Sequence, residues 1–263
     1  MTDTHEASAH SPGGGAKPFA GRIALVTGAS RGLGYATALG LARGGAHVVA
    51  VARTVGGLEE LDDAVRAAGS SATLVPLDMR DFAGLYRLAA ALDERHGRLD
   101  VLVGNAATAT ALSPLDHIDP KIWDDMMVLN VTANWHLIRA MDALLKRSDA
   151  GRAVFVTSRA ATLARAYWAP YSVSKAALNV LVQTYAAETT STAVRVNLFD
   201  PGATRTRMRA QVMPGEDPMT LPTPESVAEE IFALCLPAFA ETGRLYEFRT
   251  GALLEFLQPA QRR

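Results

Sequence analysis

The chain has 263 residues, enough for one substantial buried core. It is 49% hydrophobic and 20% charged with a net charge of −1, a globular balance without the basic excess of a nucleic-acid binder. No run approaches the ~18 apolar residues of a membrane span, and the lone Cys235 excludes an intramolecular disulfide and reads as a small buried hydrophobe.

Residues 1–18 are polar, rich in Ser, His and Gly, and lack the apolar core of a signal peptide. We expect a disordered leader there, one domain over 19–263, and a soluble cytoplasmic protein. Residues 22–27 form a short apolar run, the mark of a buried strand. It leads into Gly28-Ala-Ser-Arg-Gly-Leu-Gly34 and a helical pattern to Arg43. Strand, glycine turn and helix together set backbone N–H groups and a helix N-terminus at a phosphate. The spacing is neither G-x-G-x-x-G nor a P-loop, so an ordinary β–α turn is the competing reading.

A second strand, 47–52, ends at Arg53. Dinucleotide folds place an acid near this point to hold a ribose 2′-hydroxyl, or an arginine where a 2′-phosphate must be accommodated. Here Arg53 and Arg31 are present and no carboxylate is. That favours NADP(H) over NAD(H), against the alternative that Arg53 is only a solvated strand end.

Further elements follow: helix 57–68, strand 72–77 before Asp78, helix 81–96, and strand 99–103 before Gly104-Asn-Ala-Ala107. A long helix is predicted from Asp119-Pro120 to Arg147, with Pro suited to the first turn. Asn130 inside it is a poor helix former and a candidate for a buried polar role. Strand 153–156 delivers Ser158, a helix reaches Glu188, and strand 193–199 precedes Asp200-Pro-Gly202. A polar, proline-rich segment, a helix at 224–236 and a strand at 244–248 complete the chain. Alternating strands and helices with short connections predict a parallel sheet covered on both faces, with ligands at the carboxyl ends of its strands.

Tyr171 and Lys175 are four apart, so on a helix they share a face. A phenol titrates near 10, and a nearby cation would lower that value. A Ser158 hydroxyl at a strand end could polarise a carbonyl. Alone, the pair could equally sit on a solvated helix face. Six scattered histidines and one cysteine give no metal-ligand cluster.

Taken in order, these segments resemble the short-chain dehydrogenase/reductase family over residues 20–250. The resemblance implies an α/β, Rossmann-type doubly wound parallel sheet of about seven strands. It implies catalytic Asn130, Ser158, Tyr171 and Lys175, with Tyr171 as general acid and Lys175 binding the nicotinamide ribose. Asn130 would hold a water leading from Lys175 to solvent. The implied cofactor site comprises Gly28, Ser30, Arg31, Gly32, Leu33, Gly34, Arg53, Asp78, Met79, Asn105, Ala106, Ala107, Tyr171, Lys175, Pro201, Gly202, Thr204 and Thr206, with Asp78 at the adenine. The family's N-N-A-G segment reads Gly104-Asn-Ala-Ala107 here, which places a methyl group where a glycine is usual and puts the local backbone in question.

The expected activity is NADP(H)-dependent hydride transfer between nicotinamide and a carbonyl or secondary alcohol. NAD-dependent alcohol oxidation and a catalytically idle dinucleotide sensor are the alternatives. Thr108, Thr110, Arg159, Tyr167, Trp168, Met208 and Met213 are candidate substrate contacts, Arg159 for an anionic group or else for a surface carboxylate. Apolar residues run nearly all the way around helices 120–146 and 170–188, which predicts a homodimer or homotetramer through their outer faces. The alternative cover is the C-terminal segment after Gly251.

Overall fold

The computed structural model describes residues 17–256. Residues 1–16 of the leader expected over 1–18, and the last seven residues, 257–263, lie outside the described residues. The eight strands form one sheet in the order β3-β2-β1-β4-β5-β6-β7-β8. They are β1 (Ile23–Thr27), β2 (His47–Ala52), β3 (Ser71–Pro76), β4 (Val101–Gly104), β5 (Arg152–Val156), β6 (Arg195–Asp200), β7 (Arg244–Glu247) and β8 (Ala252–Glu255). All pair in parallel except β8, which runs antiparallel to β7.

Strand β8 is the eighth, beside the about seven expected. It is a four-residue edge strand reached through Gly251, whose φ of +64° permits the reversal. So short a segment carries too few residues to show an alternation. It adds to the sheet edge beside β7.

Alternate residues of the central strands feed two cores, one on each face. Ala24 and Val26 of β1 join the helices α1 (Gly32–Arg43), α2 (Val55–Ala67) and α8 (Pro224–Cys235). Leu25 joins α3 (Phe82–His96), α5 (Ala133–Lys146) and α6 (Ala169–Glu188) on the other face. Phe19, just past the expected leader, is fully buried against Phe232, with ring centroids 4.9 Å apart. Cys235 is fully buried, and desolvation pushes its thiol up to about 12.

The predicted helix over 120–146 is interrupted. It consists of α4 (Pro120–Met127), a π-helical turn (Val128–Thr132) and α5. The Ala133 N–H reaches back five residues to the Val128 carbonyl, and Asn134 Nδ2 donates to the Asn130 carbonyl at 2.9 Å. The widened turn is where Asn130 sits, so its presence mid-helix marked a real irregularity. Along α5, Leu137, Ile138, Met141, Leu144 and Leu145 are buried in the core. Trp135 (43%) of α5, with Val173 (41%) and Val180 (64%) of α6, stays exposed. The unburied apolar face is therefore narrower than the sequence pattern implies.

Gly104, which departs from the family pattern, lies against β5. A Cβ there would stand 2.3 Å from Phe155 Cδ1 and 2.7 Å from its Cε1. Phe155 is fully buried, so the glycine and the ring fill one volume together. Gly104→Ala should therefore destabilise the protein by about 1–3 kcal/mol through overpacking. Adding Phe155→Leu should restore part of it, as read by denaturant unfolding; additive losses in the double variant would contradict the pairing.

Candidate active site

A cavity of about 820 Å³ opens at the carboxyl ends of β1 to β6. The sheet order reverses between β1 and β4, which places the cavity at the switch point of the topology. Its first wall is the glycine turn. Gly28 and Gly32 have φ of +68° and +55°, and a Cβ on Gly34 would lie 2.3 Å from the Gly28 carbonyl oxygen. Only glycine at Gly34 allows α1 to start this close to β1. No side chain caps the start of α1 and no acid lies in its first turn. The positive end of its dipole thus faces the cavity, as an anion site requires.

Asn105 ties this turn to β4. Its Nδ2 donates to the Thr27 carbonyl at 2.9 Å, while its N–H and that of Ala106 both donate to Thr27 Oγ1 at 3.0 Å. Thr27, which opens the segment resembling the family's nucleotide turn, does not line the cavity and acts as the anchor between β1 and β4. Ala107, where a glycine was expected, does not have a positive φ. The doubt about its backbone is therefore answered by an ordinary conformation.

Arg31 and Arg53 both line the cavity, as expected. Arg53 is exposed and 3.9 Å from Asp78. Asp78 also lines the wall, but its carboxylate is taken by Arg80, at 3.1 Å from Nε and 2.8 Å from Nη2. Arg80 holds that carboxyl below its usual range. Arg80, two residues away and flexible, could not be assigned to this role from sequence.

On the opposite wall, Ser158 follows β5 and caps a short turn by accepting the Ala160 N–H at 3.2 Å. Tyr171 and Lys175 lie one turn apart on α6, with the ammonium 5.8 Å from the centre of the phenol ring. Lys175 Nζ donates to the Val156 carbonyl at 2.8 Å and is almost fully buried. That uses one of its three donors.

The electrostatics differ from the expectation that Lys175 lowers Tyr171. Burial dominates and pushes the Tyr171 phenol up to about 12, although a hydrogen bond with Ser158 acts in the opposite direction. The same burial brings Lys175 down to about 8, against the pull of Asp200. Asp200 is itself buried and raised by desolvation. The sequence reading took it only as part of the Pro-Gly segment.

Asn130 is the expected site residue that does not line the cavity. Its Oδ1 accepts the Thr108 N–H at 2.9 Å, and its Nδ2 donates to the Thr108 carbonyl and to Ser174 Oγ, both at 3.0 Å. Both amide hydrogens are used within the fold, and Oδ1 keeps one lone pair beyond the Thr108 N–H. Asn130 positions the loop after β4 against α6. The other expected residues, from Ser30, Leu33 and Met79 to Pro201, Gly202, Thr204 and Thr206, do line the cavity.

A short helix the sequence reading did not find, α7 (Arg207–Val212), closes the β6 side. Thr206 caps it by accepting the Arg209 N–H at 3.2 Å. Its methyl group lies 3.4 Å from where a Cβ on Gly32 would stand, so the two ends of the cavity meet there. Of the candidate substrate contacts, Thr108, Arg159, Trp168 and Met208 line this cavity, while Met213 does not. Thr110 and Tyr167 line a small adjoining pocket that Trp168 and Tyr171 also border.

This sheet order, with a glycine turn and Ser158, Tyr171 and Lys175 around one cavity, defines a Rossmann-type fold. Residues 22–217 match the short chain dehydrogenase family. The chain is 36% identical to the uncharacterized oxidoreductase YciK of Escherichia coli K12 over 209 residues, 78% of this chain and 82% of that protein. A short chain dehydrogenase of Shigella flexneri 2a, complexed with NADP, superposes with a TM-score of 0.85 at 33% identity, covering 89% of this chain and 99% of its own. One from Escherichia coli CFT073, complexed with NADPH, gives 0.84 at 34% identity, with coverage of 88% and 98%. The protein belongs to the short chain dehydrogenase family and is an oxidoreductase.

Proposed function

We propose that this protein is an NADP(H)-dependent reductase of carbonyl compounds, or in reverse a dehydrogenase of secondary alcohols, with Tyr171 as the general acid. The observation that carries this reading is the convergence of Ser158, Tyr171 and Lys175 in one cavity with the glycine turn. The bare backbone at Gly28 and Gly34, the uncapped α1, Arg31 in the glycine turn and Arg53 at the end of β2 fit a dinucleotide bearing a 2′-phosphate. The NADP and NADPH complexes of the two bacterial relatives support the same cofactor.

The bound dinucleotide supplies or accepts the hydride. Arg31 and Arg53 bind the 2′-phosphate, and Lys175 offers its two remaining N–H donors to the ribose. Ser158 donates to the substrate oxygen as negative charge grows there, an oxyanion-type stabilisation. Tyr171 gives that oxygen its proton. A phenol held at about 12 stays protonated at neutral pH, which suits a proton donor in the reducing direction. Asn130 acts as a positioning residue through Thr108 and Ser174.

The outer faces of α5 and α6, with Trp135, Val173 and Val180 exposed, fit pairing with a second copy of the chain. We propose a homodimer or a homotetramer built on it. Light scattering at micromolar concentration should give a mass of at least two chains; 27.9 kDa, the mass of one chain, would contradict it.

Tyr171→Phe should keep the fold and NADPH binding while losing ~10²–10⁴-fold in kcat on a carbonyl panel followed by NADPH oxidation. A kcat within about twofold of the native protein would refute the acid assignment. NADPH should bind at least about tenfold more tightly than NADH, since a charge-assisted hydrogen bond contributes roughly 1.5–3 kcal/mol. Arg53→Ala should narrow that gap in a fluorescence titration; equal dissociation constants in the native protein would remove the basis for the preference.

A further inference from the structure

The charge around the cavity is far from that of the chain. Eight arginines and Lys175 line it against three carboxylates, in a protein whose net charge is −1. Several of these cations are already engaged. Arg209 is held by both oxygens of Glu216, at 2.5 and 2.7 Å. Arg205 donates to the Leu221 carbonyl at 3.1 Å, and Arg249 lies 3.6 Å from Glu247. Arg31 and Arg53 belong to the wall built by the glycine turn and β2.

Three remain on the β5–β6 side: Arg159, Arg165 and Arg207. Each lines the cavity, and among the described residues none has a carboxylate within salt-bridge distance of its side chain. Their placement follows the candidate chemistry. Arg159 is next to Ser158, Arg165 lies in the loop that leads to Trp168 and Tyr171, and Arg207 opens α7 directly after Thr206. Asp200, buried at the end of β6, accepts the Gly202 N–H at 3.0 Å and lies close enough to Arg159 for their charges to attract. Leu163 and Trp168 add apolar wall between these cations.

A guanidinium offers a planar fork of donors that matches a carboxylate or phosphate, and several converging on a concave site raise the local concentration of an anion. On the reading that seats the 2′-phosphate on Arg31 and Arg53, Arg159 and Arg165 lie on the opposite, Ser158 wall, and Arg207 follows Thr206, whose methyl group meets the glycine turn. We infer that the carbonyl substrate carries an oxyanion group, a carboxylate or a phosphate, and that Arg159, assisted by Arg165 and Arg207, binds it next to Ser158 and Tyr171. This rests on the carbonyl-reductase reading above and names the substrate class for it.

The test compares charged and neutral forms of the same carbonyl compound at saturating NADPH. Acetoacetate is set against methyl acetoacetate, and dihydroxyacetone phosphate against dihydroxyacetone, which also separates carboxylate from phosphate. The anion of at least one pair should be reduced with a kcat/KM at least about tenfold above that of its neutral partner. Arg159→Gln should raise KM for that anion by roughly 10- to 100-fold, the size of a lost charge-assisted contact. The KM of the neutral partner and the dissociation constant of NADPH should stay within about twofold. Equal kcat/KM within both pairs would overturn the inference, as would an Arg159→Gln effect shared by charged and neutral forms. A weakened NADPH affinity in that variant would instead give the arginine to the dinucleotide, and the inference would fail. Absence of turnover on all four compounds would count against the reductase reading itself. In that event, calorimetric titration of acetoacetate and dihydroxyacetone phosphate into the NADP-loaded protein reads the anion site alone. Binding that Arg159→Gln abolishes would sustain the inference, and no binding, or binding it leaves unchanged, would overturn it.

Discussion

The junction between Thr27 and Asn105 is the constraint on which the site depends. Strands β1 and β4 are neighbours in the sheet but their following helices leave to opposite faces, so a crevice opens where they part. Thr27, almost fully buried, closes the bottom of that crevice. Its hydroxyl donates to the Val103 carbonyl at 3.2 Å and accepts two N–H groups from Asn105 and Ala106, while its carbonyl accepts the Asn105 amide. Buried backbone groups at the end of a sheet ladder would otherwise lack partners, at a cost of about 1–3 kcal/mol each. The Asn105 amide also comes within 2.8 Å of the position a Cβ would take on Gly28, and within 2.4 Å of that on Gly34. The glycines are thus required by the clamp as well as by the turn. The glycine turn is held from β4 through Asn105 and from β2 through the Ala29 N–H, which donates to the Val51 carbonyl at 3.2 Å.

The second wall obeys a different constraint, the cost of burying charge. Tyr171, Lys175 and Asp200 share one poorly solvated corner, and each is displaced toward its neutral form. Holding the phenol at about 12, against an ordinary value near 10, disfavours the phenolate by roughly 3 kcal/mol. In the proposed reducing direction the acid is already in its reactive form and this cost does not arise. The oxidising direction needs a base, so the same burial works against it unless positive charge nearby offsets the cost. Lys175 is positioned to contribute, 5.8 Å from the ring, yet its own ammonium is weakened to about 8. The corner is therefore tuned by depth more than by the lysine.

Legibility in the sequence followed periodicity. The central strands, buried on both faces, appear as continuous apolar runs, so β1, β2, β4, β5 and β6 could be placed within a few residues. The glycine turn and the Tyr171–Lys175 spacing are local and were equally visible. What escaped was non-local or too short. The four-residue β8 and six-residue α7 offer less than two turns or two alternations to detect. The π turn was visible only as an asparagine in the wrong place, because the partner of that side chain, Thr108, lies 22 residues away. Arg80 and Thr27 act through partners that sequence does not rank. The apparent all-round apolarity of α5 arose because a helix pressed between the sheet, α3 and α6 buries more than one stripe, which a single-face template reads as excess surface.

The departure at Gly104-Asn-Ala-Ala107 shows how one local rule can be traded for another. Losing a side chain at Gly104 removes packing, and the fully buried Phe155 on the adjacent strand occupies that space. Asn134 Oδ1 would lie 3.1 Å from a Cβ there, so the volume is bounded by α5 as well as β5. Asn134 in turn donates to the carbonyl of Asn130 in the π turn, whose side chain holds Thr108 just beyond this segment. The bare Cα, the ring, the two asparagines and the loop after β4 therefore form one continuous contact path into the cavity wall. A larger residue at 104 must displace either the ring or Asn134, and the second choice disturbs Thr108. The sequence change at the strand end is thus coupled to the shape of the site by packing, with no residue of the Ser158–Tyr171–Lys175 set altered.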